Sequence, residues 1–541
     1  MVNATFNKNY LFKLVGTKFD DKKLRSHIEK MGFDVEGLSK DEVQIDFPAN
    51  RPDVIDIVGF ARALRNFMHN GKKTKYVIKD EKPALEINIG SAIKDIRPFI
   101  SGMVVKGVKF DEQSLTHLLV FTEKFTSNYG RARKRIAIGL HDLDRIKAPL
   151  VYDAVGDEQF LALNIKKKMK FSQIVLESEK GIAYAHTLKN SKLYPVVKDQ
   201  EGAISFVPIL NSERTKVTNS TKNMFVEITG TNKLIVEKSA DLLAAIFIDM
   251  GANVSKVKVN YKGSSVLLPK MESAKIEIPL IKMESQIGVI IGFNNVISLA
   301  NKMGYEAALL GKNIRFKVPE YRLDVINEQD VIEDVAIAYG YDYIQPVPIF
   351  ADQIGGIEET TKRNSKLSEI LVGMGFSETM NSYLTNEKQN FGNMRLKESG
   401  NNYVKVRDAK MQQLTMMRTW LLPSLLKNIG MSVHEKMPQK IFEIDMAFEM
   451  EKQVAEKQKL AAVVTDPKAN FNRIKAIVEG VLQGMGAKYT IKENLHSSFI
   501  EGRCASILLS GKDVGVFGEV HPEVLSSFGI EEPTIAFELT L

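Results

Sequence analysis

Pro48-Ala-Asn-Arg51-Pro-Asp53-Val54-Ile55 and, far downstream, Pro319-Glu-Tyr-Arg322-Leu-Asp324-Val325-Ile326 carry the same Pro, Arg, Asp, Val and Ile at one spacing. Just upstream of each, Val43-Gln-Ile-Asp46 and Ile314-Arg-Phe-Lys317 read as short strands. Before those, residues 23–31 and 296–303 read as helices closed by Gly32-Phe33 and Gly304-Tyr305. A glycine after a helix takes the left-handed cap, the aromatic beside it goes inside, and the proline starts a turn into another helix. An internal repeat is weighed before any motif because it fixes architecture. Two copies of one small module are therefore expected, over residues 1–56 and about 284–327, each with too little core to stand apart from larger neighbours.

Between the copies, residues from about 85 to 270 alternate strand-like runs (Ile100-Ser-Gly-Met-Val-Val105, Ile136-Ala-Ile-Gly-Leu140, Phe225-Val-Glu-Ile228) with helical stretches such as residues 115–124. That alternation predicts a mixed α/β domain. Beyond about 350, residues 362–374 and 419–434 read as helices, and Lys440-Ile-Phe-Glu-Ile444, Ser506-Ile-Leu-Leu509 and Val514-Gly-Val-Phe517 as strands. A chain of 541 residues is too long for one core and fits three or four domains. The expected fold is an α/β and α+β multidomain chain divided at 1–82, 83–272, 273–347 and 348–541.

Apolar residues make up 44% and charged residues 26%, and no apolar run approaches the roughly 20 residues of a membrane helix. The first 13 residues mix Asn, Lys and Phe without a secretory pattern, so a cytoplasmic protein with no membrane partner is expected. Cys504 is the single cysteine, which excludes an intrachain disulfide and a cysteine-rich zinc site; a buried structural thiol is expected. The net charge of +8 is clustered, as in Arg131-Ala-Arg133-Lys134-Arg135 and Lys166-Lys167-Lys168-Met169-Lys170, which favours a polyanionic partner.

Carboxylates crowd Asp324-Val-Ile-Asn327-Glu-Gln-Asp330-Val-Ile-Glu333-Asp334. With Asn327 as N-cap, helical periodicity turns Val331, Val335 and Ala338 inward and sets Asp330, Glu333 and Asp334 together on another face. Asp324, in the preceding turn, reaches back toward them, and hard oxygen donors of this kind suit Mg²⁺. Acidic residues at a helix start also complement the macrodipole with no metal at all, and from the residues alone that plainer reading is favoured.

Taken in order, the motifs resemble the β-subunit family of phenylalanyl-tRNA synthetases in its shorter archaeal and eukaryotic form. The resemblance runs end to end. It rests on Asn50-Arg51-Pro52-Asp53 with Gly59-Phe-Ala-Arg62, Ile138-Gly-Leu-His141-Asp142-Leu-Asp144, Asn211-Ser-Glu-Arg-Thr215-Lys and Thr229-Gly230-Thr231. It continues through the acidic segment, Leu421-Leu-Pro-Ser-Leu-Leu426, Phe499-Ile-Glu-Gly502-Arg503 and Gly518-Glu519-Val-His521-Pro522-Glu523. Each is weak alone, and the shared order is specific.

The resemblance implies magnesium at Asp324, Asp330, Glu333 and Asp334, reversing the plainer reading. It implies a central domain that hydrolyses mischarged Tyr-tRNA, with a pocket at Ser205, Glu227 and Thr229. Here Glu227 stands where the family carries Asp, moving the carboxylate outward by one methylene. His141 beside Asp142 reads as a structural hydrogen-bonding group rather than a base. The last domain resembles a class II synthetase fold without a Phe-Arg-x-Glu or Gly-x-Gly-x-x-Arg signature, so aminoacylation falls to an α subunit in an α2β2 tetramer that uses ATP and tRNA(Phe). Val406-Arg407-Asp408-Ala409 departs from the Asn-Pro expected there, and a buried Glu443 needs a partner, for which Arg503 is a candidate. Two other readings compete with the ligase subunit: a trans-editing protein without an α partner, and a general nucleic-acid-binding protein.

Overall fold

The computed structural model describes residues 2–69, 75–78, 82–188, 191–349, 353–398, 402–409, 411 and 413–541. They form a mixed α/β chain of two compact units, Met1–Pro348 and Ile349–Leu541.

In the first unit the repeat is larger than its sequence suggests. The first copy runs strand Val2–Asn7, helices Lys8–Val15 and Asp21–Lys30, strands Asp34–Leu38 and Glu42–Phe47, and helix Ile57–His69. The second runs strand Lys275–Pro279, helices Leu280–Ile287 and Phe293–Lys302, strands Glu306–Leu310 and Asn313–Lys317, and helix Glu328–Tyr339. In both three-stranded sheets the last strand lies in the middle. The second copy thus begins near 275 rather than 284, because its opening strand shares no motif with Val2–Asn7 beyond alternation. Gly32 (φ 81°) and Gly304 (φ 94°) close matching helices in the left-handed region, as the sequence predicts.

Arg51 lies over the Phe33 ring and Arg322 over the Tyr305 ring, each 5.6 Å from the centroid. The copies touch: Arg51 reaches Asp324 at 4.0 Å, and Arg62 packs 3.6 Å over Tyr321 while pairing with Asp249 at 2.6 Å.

The central sheet places strand Asn223–Gly230 between Phe99–Lys106 and Ile136–Asp142, both antiparallel to it. Alternation along this strand sorts its side chains. Met224, Val226 and Ile228 join the core that includes helix Lys233–Asp249, and Phe225, Glu227 and Thr229 point to the opposite face.

The second unit is built on a seven-stranded, largely antiparallel sheet. Helices Glu359–Gly373 and Phe471–Gly484 cover one face, and Leu422–Met431 and Pro522–Phe528 cover the other. The helix expected over 419–434 is shorter, since residues 419–421 are held against Asn390 and Glu538 instead. The candidate partner of Glu443 is also corrected: Arg418 binds it at 2.6 Å, and Arg503 turns to Glu519. Cys504 is buried, and burial pushes its thiol up to about 11, which keeps it protonated and unreactive.

Candidate functional site

A cavity of about 520 Å³ opens in the central sheet, within the range of small-molecule sites. Ser205, Glu227 and Thr229 all line it, so the three predicted pocket residues come together. Apolar side chains, among them Leu140, Phe206 and Ile209, supply much of the wall, and Asn211 adds an amide.

Glu227 is only 3% exposed, yet its Oε2 has no hydrogen-bond donor. His141 is fully buried on the neighbouring strand, where Nδ1 meets the Thr215 hydroxyl at 2.9 Å. Its Nε2 also lacks a partner and stands 3.8 Å from Glu227 Oε1, beyond hydrogen-bond reach. Gly139 faces Glu227 across the strands, and a Cβ there would come within 2.6 Å of the glutamate side chain. The longer residue fits because its neighbour has no side chain. An unpaired buried carboxylate oxygen costs about 1–3 kcal/mol or more.

Arg97 is the polar residue that sequence reading missed. It is buried behind the cavity-lining Thr229, where Nε donates to Thr229 Oγ1 at 3.1 Å and Nη2 to the Thr229 carbonyl at 2.8 Å. Nη1 donates to the carbonyls of Arg133 and Lys134. Burial pushes its guanidinium down to about 10 against the attraction of Tyr152 and Glu227, so it remains a cation at neutral pH. A lone arginine ahead of a strand has no periodic signature, and only the fold reveals its partners. At the cavity rim Glu123 gathers Arg133, Lys180 and the Tyr184 hydroxyl. Burial works against the Glu123 charge, but those hydrogen bonds and cations hold its carboxyl down to about 2.

The acidic segment behaves differently. Asp324 engages both oxygens on Arg322, at 2.8 and 2.7 Å. Asp334 binds the same guanidinium at 2.7 Å and accepts the Tyr305 hydroxyl. Asp330 turns Oδ2 back to the amides of Ile326 and Asn327, completing a capping box with Asn327. Glu333 is exposed. Val331, Val335 and Ala338 are buried as expected, but so is Asp334, so Asp330, Glu333 and Asp334 do not share one open face. The donors have the right hardness for Mg²⁺, but as arranged they do not fit a shared cation, because Arg322 occupies the charge between two of them. Among the described residues no group of three His, Cys, Asp or Glu side chains is placed to hold a metal ion.

Comparison with known proteins agrees along the whole length. Residues 98–246 match the B3/4 domain, residues 276–341 the tRNA synthetase B5 domain, and residues 345–541 the phenylalanyl tRNA synthetase beta chain CLM domain. The phenylalanine–tRNA ligase beta subunit of Archaeoglobus fulgidus is 34% identical over 537 residues, covering 98% of this chain and 96% of that protein. The chain belongs to the phenylalanine–tRNA ligase beta subunit family. The beta subunit of Methanocaldococcus jannaschii is 33% identical across 100% of both chains. A crystal structure of an N-terminal fragment of the beta subunit from Pyrococcus horikoshii superposes with a TM-score of 0.60 at 30% identity, covering 63% of this chain and 100% of the fragment. The chain is thus a subunit of an aminoacyl-tRNA ligase, and the cavity lies within its B3/4 match. No helix among the described residues is long and apolar enough to cross a membrane.

Proposed function

We propose that this subunit supports attachment of L-phenylalanine to tRNA(Phe) by an α partner, and that its central cavity hydrolyses tyrosine mistakenly esterified to that tRNA. The observation that carries the second part is the buried, unpaired Oε2 of Glu227. A tyrosine hydroxyl supplies the missing donor, and phenylalanine leaves it missing. A site built to hydrogen-bond a hydroxyl rejects the analogue lacking it by up to about 10⁴–10⁵-fold. Thr229, fixed by Arg97, and Ser205, 3.4 Å from Asn211 Oδ1, supply further polar contacts to the aminoacyl end. Hydrolysis consumes one water: the ester C–O bond breaks as a C–O bond to water forms, tyrosine leaves as its carboxylate, the ribose hydroxyl is restored, and one proton passes to solvent.

The domain division at 1–82, 83–272, 273–347 and 348–541 belongs to the same proposal, with the last domain a class II synthetase-like scaffold that makes no adenylate. The complex is an α2β2 tetramer using ATP. Magnesium at Asp324, Asp330, Glu333 and Asp334 requires Arg322 to release two of the four. Asp330→Ala then lowers bound magnesium in elemental analysis of the purified complex, and unchanged metal content removes the assignment.

Co-expression with the presumed α subunit tests the first part: phenylalanylation is expected only with both chains present, and activity without this chain refutes it. The purified complex should release tyrosine from Tyr-tRNA(Phe) much faster than phenylalanine from Phe-tRNA(Phe). Equal rates refute the hydroxyl-recognition reading.

A further inference from the structure

Residues 131–135 form a basic loop that the proofreading chemistry does not use. Arg131, Ala132 and Arg133 have φ of 50°, 50° and 62°, three consecutive L-residues in the left-handed region. Such runs are disfavoured for residues with a Cβ and persist where surrounding contacts impose them.

The contacts are specific. The amides of Ala132, Arg133 and Arg135 donate to the carbonyls of Ser127, Thr126 and Gly130. Arg97 holds the carbonyls of Arg133 and Lys134 from below. Gly130 and Gly230 let the chain close in: a Cβ at either would fall 2.2 Å from a backbone oxygen, of Thr126 and Arg135 respectively. Arg133 faces the cavity, with its guanidinium on the carbonyls of Pro208 and Ile209, on Glu123, and 4.1 Å over the Tyr184 ring. The loop is therefore tied at one end to Thr229 on the cavity wall and at the other to the rim.

What this arrangement leaves outward is charge. Arg131 and Lys134 flank Arg133, are exposed, and have no side-chain partner among the described residues. The backbone amides are already bonded to carbonyls, so the loop offers an incoming anion only its cationic side chains. We propose that Arg131 and Lys134 receive phosphates of the single-stranded 3′ end of tRNA, and that the left-handed loop, locked through Arg97 to Thr229, sets the distance from those phosphates to the cavity. This rests on the proofreading reading above.

The test uses the full chain in its ligase complex carrying Arg131→Glu and Lys134→Glu, surface changes that leave the cavity intact. Two substrates are compared: Tyr-tRNA(Phe), and the tyrosyl ester of adenosine, which has the aminoacyl end but no phosphate. The expected result is a KM for Tyr-tRNA(Phe) raised about tenfold with kcat within about twofold, a weaker salt dependence of KM, and unchanged hydrolysis of the adenosine ester. Arg131→Lys with Lys134→Arg should restore KM. Unchanged KM and salt slope for Tyr-tRNA(Phe) overturn the proposal. If the unaltered complex hydrolyses neither substrate, the proofreading reading fails. The loop is then judged by equilibrium binding of uncharged tRNA(Phe): weaker binding by the charge-reversed variant supports it, and equal binding overturns it. Equal weakening toward tRNA trimmed of its 3′ single strand also overturns it, since the contact then lies elsewhere on the molecule.

Discussion

Of the places where this chain buries carboxylates, two treat them in opposite ways. Where the repeated modules meet, Asp53, Asp324 and Asp334 are all held by guanidiniums, Asp53 by Arg51 and the other two by Arg322. In the central cavity Glu227 is as deeply buried, yet one of its oxygens has no donor and the nearest imidazole nitrogen stands off at 3.8 Å. The difference between the two places is pairing, not the number of acids. The paired carboxylates lie mostly within their own module, with Arg51 to Asp324 at 4.0 Å crossing between the copies, and one oxygen of Glu227 is left without a donor.

The comparison breaks most visibly if Arg322 proves dispensable. Arg322→Met leaves Asp324 and Asp334 buried without their cation and should lower stability by about 3–5 kcal/mol in denaturant titration of the full chain. Adding Asp324→Asn and Asp334→Asn should recover most of that loss, and a triple variant no better than the single one would show that packing, not charge pairing, dominates.

Asp56 sharpens the point by titration. Burial raises its carboxyl to about 6 despite hydrogen bonds from the amides of Val58 and Gly59. The folded value lies above the roughly 3.9 of an unfolded Asp, so the folded chain keeps a proton that the unfolded chain releases between about pH 4 and 6. Stability from this group is full below about pH 4 and is lost as pH rises through 6. Asp56→Asn keeps an acceptor for both amides and removes the charge, and should raise stability by on the order of 2 kcal/mol at pH 8 with no gain at pH 4. Melting curves at the two pH values check it.

The smallest stability effect is expected at the cavity itself. Glu227→Gln removes the cost of a buried, unpaired carboxylate oxygen and also its attraction to Arg97, and these offset, so stability should change by less than about 1 kcal/mol. A loss as large as that of Arg322→Met would erase the distinction between the two regions.

The repeat was legible because Gly32 and Gly304, the two strands and the Arg-x-Asp turns recur at fixed spacing; its opening strands were not, because alternation alone carries no register. Ser205, Glu227 and Thr229 were placed in one pocket by resemblance, and the fold brings them to one cavity. Helical periodicity put Asp334 with Glu333, but that rule ignores Arg322 and Tyr305, which arrive from the preceding turn and another helix end and draw Asp334 inward. Glu443 was matched to Arg503 by charge, and Arg418 was closer through a strand pairing no local pattern encodes. Arg97, the cation under Thr229, had no signal in sequence because its partners are main-chain carbonyls and a hydroxyl.

The most direct measurement is the initial rate at which the ligase complex deacylates Tyr-tRNA(Phe), with and without Glu227→Ala. A fall of about 10–100-fold, with phenylalanylation of tRNA(Phe) unchanged, is the predicted result, matching loss of one hydrogen bond to a charged acceptor. An unchanged deacylation rate would contradict the assignment of Glu227 as the group that recognises tyrosine.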